Sequence, residues 1–194
     1  MTPRSNMLAI TGATSFVLFS VVVVLGWVVP VDRFVTSTLD PLAGPLFVYV
    51  TELGSVKVLI GLSFIGMLYF LWRGDRFEAF RLPIVVITTL LVTQGLKLIY
   101  GVDRPSIDAA LDATTYSFPS GHASGSLALY GLLAVLVYRR NETVAGLILL
   151  VTITLAVSFS RVILNVHYFS DVIGGWLVAL VIVAVSEMVR RKQI

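Results

Sequence analysis

The sequence predicts an all-α integral membrane protein: a six-transmembrane-helix bundle with both termini cytoplasmic. Three observations lead there. Of the 194 residues, 57% are hydrophobic and only 13% charged, about half the charged share of a soluble domain. The apolar residues gather in six runs, each about long enough to cross a ~30 Å hydrocarbon core as a helix. Most of the 14 basic residues fall in alternate connections between those runs.

The runs are 7–29, 55–72, 82–99, 121–138, 143–160 and 172–189. Backbone in lipid must satisfy its own hydrogen bonds, so each is expected as a helix. The first follows Arg4, exceeds the apolar stretch of a secretory signal and lacks a small-residue cleavage site, so it reads as an uncleaved signal-anchor helix. Residues 30–54 are too polar to span. Their Phe34, Val35, Leu39, Leu42, Leu46 and Phe47 suggest an amphipathic stretch along the outer interface. The fifth run is rich in Val, Ile and Thr, which favour strand in water, but in lipid its length and apolarity decide for helix.

Six spans put both termini on one side. That side carries Arg4, Arg73, Arg76, Arg81, Arg139, Arg140, Arg190, Arg191 and Lys192, which marks it as cytoplasmic. Residues 1–194 read as a single transmembrane domain. Cysteine is absent, which excludes disulfides and thiolate metal sites. The net charge of +3, without a long basic run, carries no nucleic-acid signature. No obligate protein partner is evident. Gly174 and Gly175 suit helix packing, within the bundle or between chains.

Arg33, Lys57, Lys97, Arg104 and Arg161 break the charge trend, and the last three lie in short polar stretches that the six-helix plan brings to the outer face. Lys97 precedes Arg104-Pro105 at the end of the third helix. Pro119-Ser120-Gly121-His122 opens the fourth. Ser160-Arg161, His167 and Asp171 bridge the fifth and sixth. Lys97, Arg104 and Arg161 offer cations, two of them forked, to a phosphate dianion. Ser120 is a good N-cap, Gly121 permits close approach to the backbone, and a helix start there would bind an anion. His167 and Asp171 are four apart, so a helix beginning near His167 sets both on one face. Asp171 would then fix the imidazole tautomer and leave the other nitrogen to attack phosphorus. His122 would protonate the leaving oxygen. Each residue also has a plainer reading. Lys97 can snorkel from a helix end. Arg104 and Arg161 can pair with Asp103, Asp108 or Asp112 in a structural network.

Together these positions resemble the three-part signature of the type 2 phosphatidic acid phosphatase superfamily, the lipid phosphate phosphatases. The pattern is Lys97, six residues, Arg104-Pro105; then Pro119-Ser120-Gly121-His122; then Ser160-Arg161, five residues, His167, three residues, Asp171. Every fixed position matches, with 106–118 as a short gap between the first two motifs. The resemblance implies a phosphohistidine mechanism with no metal and no cofactor. His167 would be the nucleophile, Asp171 its partner and His122 the proton donor. Lys97, Arg104, Ser120, Gly121 and Arg161 would hold the phosphate. The superfamily also includes soluble vanadium haloperoxidases, but the apolar runs argue against that branch.

The expected activity is hydrolysis of a lipid phosphate at the outer leaflet of a bacterial inner membrane, with the site facing the periplasm. Phosphatidylglycerophosphate, phosphatidic acid and undecaprenyl pyrophosphate are the candidate substrates. Two other readings remain. A rhomboid-like intramembrane serine protease would use Ser124-Gly125 with His167, but His122 stands where its Gly-x-Ser-Gly pattern needs the first glycine. A non-enzymatic lipid or anion transporter would use the cations but has no need of the His167–Asp171 spacing.

Overall fold

The computed structural model describes residues 3–106, 108, 111, 114–141 and 144–191. The side chains of Arg4 and Arg191, and all of Asp112 and Lys192, lie outside the described residues. The elements are α1 (Pro3–Val24), α2 (Val29–Leu39), a 3-10 turn (Asp40–Leu42), α3 (Pro45–Glu52), α4 (Val56–Trp72), α5 (Arg76–Tyr100), α6 (Gly121–Ser126), a π-turn (Leu127–Gly131), α7 (Leu132–Asn141), α8 (Val144–Ile163) and α9 (Phe169–Arg191). Among the described residues, five helical stretches are long and apolar enough to cross a membrane, with α6, the π-turn and α7 counting as one. A sixth is reached if α3 and α4, bent by 44° at their junction, make one span.

Several boundaries differ from the sequence expectation, for local reasons. The first apolar run ends early, because Gly26 turns the chain at φ 71° and Pro30 starts α2. The third helix begins at Arg76 rather than 82. Asp75 caps it by accepting the Glu78 N–H at 3.0 Å. Arg76 and Arg81, expected in a connection, are therefore part of α5, and Arg81 is buried. α5 ends at Gly101, whose left-handed conformation (φ 60°) returns its N–H to the Lys97 carbonyl. The stretch 30–54 does not present a single apolar face. Val35 and Leu39 of α2 pack inward on Ala123, Val162 and Val172, while Phe34, Leu42 and Leu46 are exposed.

α9 is the hub, with α1, α5 and α6 packed along it. Lipid is as apolar as leucine, so helix contact in a membrane depends on close packing of small residues. Gly174 and Gly175 serve that purpose inside the bundle. A Cβ on Gly174 would lie 2.3 Å from the Phe118 ring. A Cβ on Gly175 would lie 2.6 Å from the Ser120 carbonyl oxygen. Phe118 is fully buried, edge-on to Tyr100 at 5.2 Å and stacked on Phe16 of α1. These contacts seat the 117–121 segment directly against the start of α9.

Candidate active site

Five parts of the chain deliver the polar residues to one end of the bundle. The last turn of α5 carries Lys97. Its ammonium does not snorkel: the residue is 4% exposed, and Nζ donates to the carbonyls of Tyr116 (2.5 Å) and Ser117 (2.8 Å). A lysine at membrane depth costs about 2.5–3.5 kcal/mol, less near a helix end, and these two acceptors offset part of that cost. Arg104 follows in the connection after α5. It donates to the Thr115 carbonyl, to the Val166 carbonyl at 2.8 Å and to the His167 ring at 3.0 Å. Those bonds leave Asp103 out of its coordination.

Ser120 is the N-cap of α6, accepting the Ala123 N–H at 3.4 Å, and its own N–H donates to the Asp171 carbonyl at 2.9 Å. The second and third sequence motifs are thus joined backbone to backbone. A Cβ on Gly121 would meet nothing within 4 Å, so space stands open beside the helix start. His122, one residue on, is 8% exposed and makes no hydrogen bond among the described residues. Gly54 backs it: a Cβ there would lie 3.0 Å from the imidazole Cδ2. Arg161, in the last turn of α8, is fully buried and donates to the Thr51 hydroxyl (2.9 Å) and the Leu111 carbonyl (2.6 Å).

After α8 the chain reverses through Asn165, which takes the left-handed conformation (φ 54°) that Asn tolerates. His167 therefore lies in the turn before α9 rather than on the helix. Its N–H still reaches the Arg161 carbonyl at 3.2 Å. Asp171, in the first turn of α9, accepts from His167 Nδ1 at 3.0 Å. Arginine can only donate, so the Nε2 atom facing Arg104 must be the lone-pair acceptor, and the ring proton sits on Nδ1. Burial, together with Lys97, Arg104, Arg161 and His122, holds the His167 imidazole well below its usual range, so it is neutral at pH 7.

All eight residues singled out in the sequence thus fall in one neighbourhood: His122, His167, Asp171, Lys97, Arg104, Ser120, Gly121 and Arg161. Sequence reading missed the residues that hold them. Ser117 donates to Asp171 Oδ2. Thr51, from α3, holds Arg161. Asp32, buried in α2, accepts the Ser170 N–H at 2.8 Å and its hydroxyl at 2.7 Å, capping α9 from outside. None of the three carried a sequence signal, since each is an ordinary polar residue until folding brings its partner to it. Ser124 bonds to the Thr93 hydroxyl at 2.9 Å and the Gly121 carbonyl at 3.2 Å. Both nitrogens of His167 are engaged elsewhere, so no Ser124–His167 dyad forms. Among the described residues, no cluster of three His, Asp or Glu side chains is placed to hold a metal ion.

A family model described as the PAP2 superfamily matches residues 78–193. The chain belongs to the PAP2 superfamily. The PAP2 match contains all eight residues, while α1 to α4 lie outside it. Phosphatidylglycerophosphatase B of Bacillus subtilis (strain 168) is 27% identical over 139 residues, covering 69% of this chain and 68% of that protein. Sphingosine-1-phosphate phosphatase 1 of Rattus norvegicus is 29% identical over 147 residues. That match covers 72% of this PAP2 chain but 33% of the rat protein, so the chain spans about a third of that relative. The crystal structure of a transmembrane PAP2 type phosphatidylglycerolphosphate phosphatase from Bacillus subtilis superposes with a TM-score of 0.79 at 21% identity. It covers 95% of this chain and 96% of its own, and it shows the PAP2 fold extending over α1 to α4.

Proposed function

We propose that this chain is a lipid phosphate phosphatase that works through a phosphohistidine on His167. The observation that carries the reading is the placement of His167 between Asp171 on Nδ1 and Arg104 on Nε2, both at 3.0 Å. The nucleophilic lone pair points at a guanidinium that would hold the phosphate oxygens. Nε2 attacks phosphorus, the P–O bond to the lipid breaks, and His122 gives its proton to the departing oxygen. His122 then takes a proton from water, which attacks the phosphohistidine and releases inorganic phosphate. Lys97, Arg104, Arg161 and the N–H groups at Gly121 and His122 bear the charge of the transferring group.

Phosphatidylglycerophosphate is the first substrate we propose, since that activity names both the Bacillus relative and the structural neighbour. The site is proposed to face the outer leaflet, with both termini cytoplasmic. The support is Arg73, Arg76, Arg81, Arg139, Arg140 and Arg190, which gather at the end remote from His167.

Phosphate release by the purified protein is the test, with phosphatidylglycerophosphate, phosphatidic acid, sphingosine-1-phosphate and undecaprenyl pyrophosphate compared by kcat/KM in EDTA. Phosphatidylglycerophosphate is expected to give the highest value. His167→Ala is expected to lose on the order of 10⁴-fold or more in kcat, by analogy with loss of a serine-protease nucleophile. Full turnover in that variant would refute the nucleophile, and loss of wild-type activity in EDTA, restored by magnesium, would refute the metal-free route.

A further inference from the structure

Between the first two motifs the sequence shows only a gap, yet Ser117 within it is held by all three of its polar groups. Its N–H donates to the Val102 carbonyl at 2.7 Å. Its carbonyl accepts Lys97 Nζ at 2.8 Å. Its hydroxyl donates to Asp171 Oδ2 and lies 3.3 Å from His167 Nδ1. The residue is fully buried. Asp171 Oδ2 also takes the Tyr168 N–H at 2.8 Å and His167 Nδ1 at 3.0 Å. Asp171 Oδ1 has no hydrogen-bond partner among the described residues. Every donor therefore converges on one oxygen, and that oxygen sets the direction of the imidazole. Apart from His167 itself, the Ser117 hydroxyl is the one side-chain donor among the described residues that prevents the carboxylate from turning.

We propose that Ser117 is a positioning residue for His167, a role that rests on the reading of His167 as nucleophile. Through Asp171 it locks the imidazole in the tautomer that presents the Nε2 lone pair. Through its carbonyl it recruits Lys97 to the same scaffold, so that one peptide unit ties the first motif to the third. Ser117 is fully buried behind Asp171 and is assigned no contact with the phosphate. A hydroxyl that only stabilised the fold would lower the melting temperature when removed, without altering the His167 tautomer or the balance between kcat and KM.

The experiment compares wild type, Ser117→Ala and Ser117→Cys, each as the full chain in detergent, by steady-state kinetics and by nitrogen NMR of histidine-labelled protein. The chain has 2 histidines, so the spectrum holds two imidazoles, which His167→Ala assigns. In Ser117→Ala, kcat is expected to fall about 10- to 100-fold, the worth of one hydrogen bond to a charged group, with KM unchanged. His167 is expected to lose its single Nδ1–H form. Ser117→Cys keeps the volume and a weak donor, and is expected to fall between the other two on both readouts. Wild-type kcat with an intact Nδ1–H tautomer in Ser117→Ala would overturn the proposal. So would equal losses in the Ala and Cys variants with the tautomer unchanged. If the wild-type chain hydrolysed no lipid phosphate, the proposed function would fail, while the tautomer comparison would still decide the role of Ser117.

Discussion

Helices α5 and α9 each carry a polar cluster at both ends, and the two clusters treat their cations differently. At the Lys97–Asp171 end, Lys97 and Arg104 rest on neutral carbonyl oxygens and on an imidazole. At the other end, about 24 Å away along α5 at ~1.5 Å per residue, carboxylates hold the arginines. Buried Arg81 pairs with Glu78 at 3.0 Å and Glu187 at 2.9 Å, and also bonds to the Ser186 hydroxyl. Glu187 further pairs with Arg139 (2.9 Å) and Arg190 (2.7 Å). Carbonyl partners fix a cation in place but do not cancel its charge, so the first end keeps a positive field for an anion. At the second end each of Arg81, Arg139 and Arg190 meets a carboxylate, and the cluster works as a staple between α5, α7 and α9. A charge that lacks a carboxylate partner inside a membrane protein is costly, and under the proposed function the phosphate of the substrate would supply the missing charge.

The comparison breaks if the two ends respond alike to loss of an arginine. Arg104→Ala is expected to reduce kcat about 100- to 1,000-fold, as loss of one oxyanion donor does, with little change in melting temperature. Arg81→Ala should do the opposite. It takes the guanidinium away from buried Glu78 and is expected to cost about 3–5 kcal/mol of stability, read by thermal unfolding in detergent, with kcat in the surviving folded fraction near wild type. A matching activity loss in Arg81→Ala would remove the division of labour.

Gly175→Ala sharpens the same contrast at intermediate size. The new Cβ meets a backbone carbonyl, that of Ser120, which cannot swing aside. A cost of about 1–3 kcal/mol for overpacking is expected, together with lower kcat, because α9 carries Asp171 and the displaced segment before α6 carries Ser120. Stability lost with kcat intact would mean that α9 can shift without disturbing the site. The smallest effect belongs to Arg139→Gln. Its side chain is 38% exposed, and the change is expected to alter stability by no more than about 1 kcal/mol and to leave hydrolysis unchanged.

Much of the site was legible in the sequence because its residues are chemically out of place. Charges, a Pro-Ser-Gly turn and the 2 histidines stand out in a chain that is 57% hydrophobic. The four-residue step from His167 to Asp171 anticipated their contact, although the chain makes it across a turn and the first turn of α9. Ser117, Thr51 and Asp32 were not legible, since a lone hydroxyl or acid acquires meaning only from the partner that folding brings to it. The fate of Lys97 was equally hidden: a helix-end lysine looks the same in sequence whether it reaches outward or turns onto the carbonyls at 116 and 117.

By itself the sequence determined the helical class, because long apolar runs in lipid leave the backbone no other way to satisfy its hydrogen bonds. It also picked out the polar side chains that the fold gathers at one end of the bundle. Tertiary structure alone decided how those side chains are aimed. The slots at Gly174 and Gly175 let Phe118 and Ser120 sit against α9, and the Ser120 N–H then meets the Asp171 carbonyl. The direction of a hydrogen bond depends on both partners in space, and these partners lie up to 138 residues apart in the chain.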